Sequence, residues 1–562
     1  MVMKRNYMKK FLRLANSNMR KFITILIIII SFQANSQNYG NLSGNLQLNY
    51  QTFQEDSSID AEARSPYASG YTNLLYNRNQ FTVGTRIEAY NNTIPGYEGY
   101  EGYGISNKFI QFKNNVFDIT LGDFYDEFGS GLIFRTYFDP NLGIDNAVEG
   151  VRLKVVPVEG VYITGIIGKQ RSYWENSDGI LKAFNTDISL NSLFLKTWNS
   201  YVNVGFSFVT KKENDNDPLY ILPENVGALN GRMNITKGNT SINLDYAYKI
   251  NDPSADNNYI YKNGTGLILT ANYSQKGMGI SMGIKRIDNM SFRSERNAML
   301  QDLNINYITP FTKQQAYSLA TMYPYSSQPN GEMGSQIDIY YMIPKKSKLG
   351  GKYGTHITMN FSNVFNIHKA LSDDASVLNE SGTIGYNSNI LELGEDKLFQ
   401  EFNFEISKKI NRNLKIISTY INVVNNDKIL KSQPILPNKD HEIIKANIII
   451  LESLIKLPSF KSMRNSMKTE FQYLHTKQHY GNWVMGLIEY KLSKLFFSLQ
   501  DLYNYGHPEK PHYYSTSIGY NHGSNRISIT YGKQRAGLFC VGGVCREVPA
   551  SNGFLISLTS SF

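Results

Sequence analysis

The sequence predicts an all-β protein, a single large antiparallel transmembrane β-barrel of about 26 strands, or ~22 if weak segments merge. Three observations predict it. Apolar and polar residues alternate with period two in one segment after another, as on a strand with one oily and one wet face. Short turns and long connections take turns along the chain. The last segment, Asn552 to Phe562, puts Phe554, Ile556, Leu558 and Phe562 on one face and ends on a free aromatic residue.

Taken in order, the chain begins with a secretory pattern. Arg20 and Lys21 precede an apolar run from Phe22 to Ile30, and Ala34, Asn35 and Ser36 supply small residues for cleavage. Residues 1–36 therefore read as a signal peptide, with Met19 as a compact start and 1–18 as an upstream extension. The run is too short to cross a bilayer as a helix, which takes about 20 apolar residues. The barrel is expected over 37–562. Formal net charge is +10, but Lys4, Arg5, Lys9, Lys10, Arg13, Arg20 and Lys21 precede the cleavage site, leaving about +3. No basic patch for nucleic acid is expected.

No Pro-rich linker, low-complexity run or block of like charge divides the remainder, and no later apolar run reaches helical-span length. Aromatics make up 13% of the chain, chiefly Tyr, which suits the interfacial girdles of membrane barrels. The strand pattern starts with Leu42, Gly44, Leu46, Leu48 and Tyr50 opposite Asn41, Ser43, Asn45, Gln47 and Asn49. It returns in Val202–Phe208, Ile242–Ile250, Phe402–Ile406 and Ile527–Tyr531. Short turns are expected near Asn77–Asn79, Lys113–Asn115, Trp198–Ser200, Lys237–Asn239, Ile410–Asn413, Lys491–Lys494 and Asn521–Ser524. Long connections are expected at Gln54–Ala68, Arg171–Thr186, Lys211–Asn225, Ile367–Asp396, Asn425–Asp440 and Ala536–Ser551. Bacterial barrels keep short turns on the periplasmic side and long loops outside. Two stretches resist the pattern: Glu442–Leu457, oily on both faces like a short helix, and Gln301–Tyr323, with a Pro-interrupted turn.

The most unusual stretch is Gly122–Arg152, GDFYDEFGSGLIFRTYFDPNLGIDNAVEGVR. Gly129 and Gly131 permit bends, and charges of both signs lie among five aromatics. A wide barrel needs something to narrow its lumen, and an inward-folded loop with acids and arginines selects solutes by size and charge. Arg135, Arg152, Asp145, Glu127, Asp123 and Glu149 are the expected constriction residues. The alternative is an external loop packed on its own aromatics. The carboxylates also suit an acid/base pair in type, but sequence sets no separation between them.

With its FGSGL and LGIDNA segments, Gly122–Val151 resembles a functionally unassigned family of outer-membrane barrels of Bacteroidota type. GLFCVGGVCREVPASNGFLISLTSSF (Gly537–Phe562) resembles the closing hairpin of the same family. The resemblance implies fold and location and lends no activity. The terminal strand also resembles the signal that barrel-assembly machinery recognises, carried by Phe554, Ile556, Leu558 and Phe562.

The only cysteines, Cys540 and Cys545, fall in the last long connection. Two thiols at close spacing in an exported chain favour a disulfide, with Gly542 and Gly543 giving the ring its flexibility. They are too few for a metal site. His475 and His479 share a strand face but lie about 13 Å apart at the rise of an extended chain, too far for one ion. His507 and His512 flank a loop turn. No cofactor is expected.

His522-Gly523-Ser524-Asn525 resembles the His-x-Ser-Asn core of outer-membrane phospholipases and lipid A deacylases, which pair serine with histidine. Arg526 stands where the phospholipase pattern has Gly, and the four residues have ordinary hairpin composition. A non-enzyme is expected. Early onset of the strand pattern also leaves no room for the plug of a TonB-dependent receptor or the N-terminal domain of a lipopolysaccharide transporter. The expected function is a passive channel for small polar solutes in the outer membrane. The alternatives are a non-conducting subunit of a surface secretion or assembly complex and, remotely, a lipid hydrolase. Expected contacts are outer-membrane lipid and the assembly machinery, and oligomeric state is left open.

Overall fold

A computed structural model describes residues 40–94, 97–430, 442–460, 463–479, 481–541 and 544–562. The signal segment, Gly542, Gly543 and most of the Asn425–Asp440 connection lie outside them. Twenty-four strands form one antiparallel sheet that closes on itself, inside the expected range. The first, Asn41–Phe53, pairs with the last, Ser551–Ser561, placing Asn45 opposite Ser561, Leu48 opposite Leu558 and Gln51 opposite Leu555. At the seam, Gly44 N donates to Phe562 O (2.9 Å) and Phe562 N donates to Gly44 O (3.0 Å). The terminal residue is thus part of the closure. Closure removes the sheet's edges, which a bilayer cannot satisfy.

Alternation explains the faces. Phe206, Phe208, Ile242, Leu229, Ile527 and Ile529 stand exposed on the outside, as do Phe554 and Phe562. So continuous an apolar outer belt suits lipid rather than water. The residues between them point inward. No helix among the described residues is long and apolar enough to cross a membrane.

The start of the first wall strand, at Asn41, and the end of the last share one rim with short turns such as 79–80, 114–116, 238–239, 410–413, 493–494 and 523–524. Two connections on this rim are longer: 190–199, which holds a helical turn at Leu190–Leu193, and 344–354. Most long connections fill the other rim, among them 54–63, 213–224, 250–263 and 368–392. Two expectations fail, the first being the short turn near Trp198–Ser200, which is instead the end of the longer connection 190–199. Instead of a long connection at Arg171–Thr186, strands Val161–Ser172 and Glu175–Ser189 continue as a ladder joined by two residues. The many polar side chains there extend a hairpin rather than end one.

Glu442–Leu457 is not helical. It lies in the wall strand Ile443–Phe460. Ile449 and Leu451 are exposed outside, whereas Ile444, Ala446, Ile448 and Ile450 are fully buried inside. Both faces are oily because one meets lipid and the other meets protein within the barrel.

Candidate functional site

That protein is the chain's own. Connection 125–147 leaves strand Phe117–Phe124 and turns into the lumen. Phe128, Leu132, Ile133 and Phe134 form one buried cluster with inward residues Ile166, Leu181, Val209, Val226, Ala228 and Ala247 of the wall. The rings of Phe128 and Phe134 lie 4.8 Å apart. At the tip, Ser130 donates to Asp245 Oδ2 through its N (3.1 Å) and Oγ (2.7 Å). Gly129, at φ +59°, takes the left-handed conformation that glycine adopts most readily, and a Cβ there would also lie 2.9 Å from the same carboxylate oxygen. The FGSGL segment is therefore the inserted tip, with Asp245 as its dock.

The base of this connection is held by charge. Asp145 bonds both Arg86 and Arg171, from strands Phe81–Asn91 and Val161–Ser172. Glu88 completes the set, 2.7 Å from Arg86 Nε and 2.9 Å from Arg171 Nη2. All four side chains are almost fully buried. Tyr125 donates to Asp145 Oδ1 (2.7 Å) and accepts from Arg86 (2.8 Å). Burial, reinforced by Asp145, pushes its phenol well above the ordinary value, so it keeps the proton it donates. Two arginines against two carboxylates leave the cluster neutral, the condition under which burying charge is tolerable.

The expected constriction residues thus separate. Asp145 anchors the loop. Arg152 lies beneath it, donating to Thr120 Oγ1 (3.0 Å) and Tyr125 O (3.1 Å), with Asp126 at 3.5 Å. Arg135 and Glu127 stay partly exposed and pair at 3.7 Å, with the guanidinium 4.0 Å from the Tyr307 ring centroid. Asp123 and Glu149 are cross-strand partners on the face of Leu121 and Val151, the outward side. There Glu149 meets Lys108 (3.1 Å) and Asn176 (2.6 Å), and Asp123 accepts from Lys108 N (2.8 Å).

A second in-folded connection, 289–331, is absent from the sequence reading, which noted only an irregular Gln301–Tyr323. It binds the first: Arg135 N donates to Ile305 O (2.8 Å) and Tyr307 N to Gly131 O (2.9 Å). Asn306 Nδ2 reaches Leu132 O (3.1 Å). Ile305, Ile308 and Phe311 join the first apolar cluster. Further on, Gln315 bonds Glu401 and Asn403 (both 2.9 Å), and Leu319 N donates to Gln472 (2.8 Å). Leu319, Met322, Tyr323 and Tyr325 then cover Phe399, Ile421, Ile448, Leu474 and Trp483. A long segment with apolar residues but no alternation was the available signal, together with the doubly oily strand it covers.

Cys540 and Cys545 form the expected disulfide, as a cross-strand pair in a small ribbon, Gly537–Val541 against Val544–Val548. The ribbon is not part of the wall, and it touches both in-folded connections. Arg546 Nε donates to Asn141 O (2.5 Å) and lies over Tyr97 (5.0 Å), while Gln314 donates to Cys540 O (3.4 Å). Ser524 sits in the expected tight turn and donates to Ser561 O (2.7 Å), while His522 stacks on Tyr520. Among the described residues no group of three acidic, His or Cys side chains is placed to hold a metal ion.

These features define a transmembrane β-barrel whose lumen is partly filled by its own connections. The chain belongs to a family of unknown function, DUF6029, whose model matches residues 17–562. No curated protein matches its sequence. Among solved structures it is similar to the P pilus usher (PapC) translocation pore, at 8% identity and TM-score 0.45, covering 92% of this chain and 98% of that one. It is similar to the siderophore receptor PirA from Pseudomonas aeruginosa, at 11% identity and TM-score 0.38, covering 93% and 80%. It is also similar to Acinetobacter baumannii OccAB3, at 9% identity and TM-score 0.33, covering 93% and 99%. The barrel assignment itself rests on the closed ladder of this chain.

Proposed function

We propose that the protein is an outer-membrane channel of a Gram-negative bacterium, passing small polar solutes through a lumen that its own connections narrow. The turn-rich rim, where the first wall strand starts and the last ends, then faces the periplasm, and residues 1–36 direct export. Phe554, Ile556, Leu558 and Phe562 serve as the assembly signal. The observation that carries this reading is the closed 24-strand wall with 125–147 and 289–331 folded inside it. Barrels of about 16–18 strands already leave an aqueous channel, and about 22 strands hold a plug. Two loops restricting a wide lumen fit that trend. Glu127 and Arg135 are the charged pair a solute meets on the first connection, and Asp145 and Arg152 keep that connection in place.

Single-channel conductance of the reconstituted protein tests the proposal. A small steady conductance is expected, rising when Glu127–Asn146 is deleted. Absence of flux in both would overturn it. A non-conducting subunit of a surface assembly is the second reading, favoured by Leu219 and Ile221, which stand 81% and 88% exposed on a long-loop connection. A stoichiometric partner on that rim, together with an impermeable barrel, would decide for it.

A further inference from the structure

The in-folded connections do not cover the whole inner wall. They lie on strands from Phe81–Asn91 round to Leu495–Asn504, with Tyr513 of the next strand packed against them and Phe138 edge-on to Tyr71 at the other margin (ring centroids 5.2 Å). On that covered side, inward residues such as Val209, Ile444 and Ile448 are fully buried, and charges are sealed in pairs, Lys285 with Glu332 and Lys211 with Asp252 (3.0 Å). The closure seam and its neighbours differ. Asn45 is exposed, and Gln47, Asn49, Ser69, Tyr71 and Ser557 are only half-buried.

Register shows what this strip is made of. Along the seam Gln47 faces Thr559 and Asn49 faces Ser557. On one side Asn45 meets Asn73 and Gln47 meets Tyr71. On the other, Ser528 meets Ser557, and beyond it Thr530 meets Ser517 and Ser515 meets Gly532. The alternate residues Leu48, Ile556, Leu558, Ile527 and Ile529 form the outward row, so this row points inward. It is mostly amides and hydroxyls, interrupted by Gly532 and, towards the loop rim, Leu555, with neither a carboxylate nor a cation in the middle of the wall. Cross-strand bonds hold the groups: Tyr71 to Gln47 (3.0 Å), Asn73 to Asn45 (2.9 Å), Ser557 to Asn49 (2.9 Å) and Ser517 with Thr530 (2.8 Å). An amide has two donors and an acceptor with two lone pairs, so one such bond fixes it without exhausting it.

Both ends of the strip carry a cation stacked on a ring. Towards the turn rim, Arg526 lies over Phe496 at 4.5 Å. At the loop rim, Arg546 of the disulfide ribbon lies over Tyr97 at 5.0 Å. Between ribbon and wall lies a cavity of about 180 Å³, bordered by Gln47, Asn49, Tyr71, Tyr97, Asn141 and Arg546. It is the upper end of the same strip.

Resting on the channel reading above, we infer that solutes pass along this seam-side strip and that they are uncharged and rich in hydroxyl groups, as small sugars are. Amides and hydroxyls exchange hydrogen bonds with a sugar as they do with water, so dehydration along the path is repaid. In the middle of the strip no fixed carboxylate compensates a passing cation, and the arginines at its two ends repel it. An anion gains attraction only at the ends.

The test uses the full-length protein in liposomes, with swelling rates for glucose, gluconate and glucosamine, which differ mainly in charge. Glucose is expected to enter several-fold faster than gluconate, and glucosamine slowest. Asn49→Asp with Ser557→Asp places two carboxylates on facing strands of the strip; it is expected to slow glucose and gluconate and to favour glucosamine. Heat-modifiable migration on gels shows that the variant is folded, and Asn49→Gln serves as the conservative control. Equal entry of all three solutes overturns the solute class and leaves the channel standing. Glucose selectivity unchanged in the folded double variant overturns the seam path. No entry of any solute, in the wild type or in Cys540→Ser, overturns the channel reading itself, and this inference with it.

Discussion

Asp145 shows how a single side chain decides where a connection goes. In sequence it is one acid among several between Asp123 and Glu149. In the barrel it neutralises Arg86 and Arg171 on strands that precede and follow its own loop. Asp145→Asn leaves two guanidiniums facing Glu88 alone, and breaking a buried pair in this way costs about 3 kcal/mol. The loss should appear as protease cleavage within 125–147 while the barrel keeps its heat-resistant migration. Asp145→Leu with Arg171→Met leaves Arg86 and Glu88 balanced, so this double variant should resist cleavage better than the single one. Gly44 makes a second residue-scale case. A Cβ there would lie 2.6 Å from Asn73 O and 2.7 Å from the Phe562 ring. Gly44→Val should therefore destabilise the seam by about 1–3 kcal/mol, measured by urea unfolding. Lys369 supplies a pH dependence. Burial pushes its ammonium down to about 8, against the pull of Asp288 and with Lys262 adding to the fall. Unfolded lysine stays protonated to about pH 10.4, so between these values the unfolded segment binds the extra proton. Packing of 368–392 should thus tighten as pH rises from about 8 to about 10.4, and limited proteolysis of that connection should slow, a trend Lys369→Met removes.

At the scale of elements, the disulfide ribbon and the second in-folded connection carry the predictions. Closing the small ring of Cys540 and Cys545 contributes about 2 kcal/mol, acting on the ribbon and not on the wall. Because the ribbon touches Asn141 and Gln314, releasing it should loosen the mouth. Reduction, or Cys540→Ser, should raise single-channel conductance and leave urea unfolding of the barrel unchanged. Connection 289–331 behaves differently, since the wall under it is apolar. Deleting 309–326 alone exposes Ile444, Ile448 and Ile450 to lumen water and should lower the folded yield; adding Ile448→Thr and Ile450→Thr should restore part of it. The strand pattern of 443–460 was hard to read for this reason. Alternation reports one wet face, and here neither face is wet.

For the molecule as a whole, the residues that alternate along Leu42–Tyr50, Val202–Phe208, Ile242–Ile250 and Phe554–Phe562 determined the barrel, because strand period and a lipid exterior are both local properties of sequence. The short turns were equally local, as at Ile410–Asn413 and Asn521–Ser524, and so was the disulfide between neighbouring cysteines. The interior was not. Whether Gly129 and Gly131 turn towards the lumen depends on Asp245, and whether Asp145 reaches solvent depends on Arg86 and Arg171, all of them strands away. Glu149 and Asp123 lie outside because the register of Phe117–Phe124 against Val148–Val158 puts them beside Leu121 and Val151. The sequence by itself determined a membrane wall and its rims. Only the tertiary structure decided which connections fill the lumen and which strip of wall stays open, because those outcomes rest on contacts between distant segments that no local period encodes.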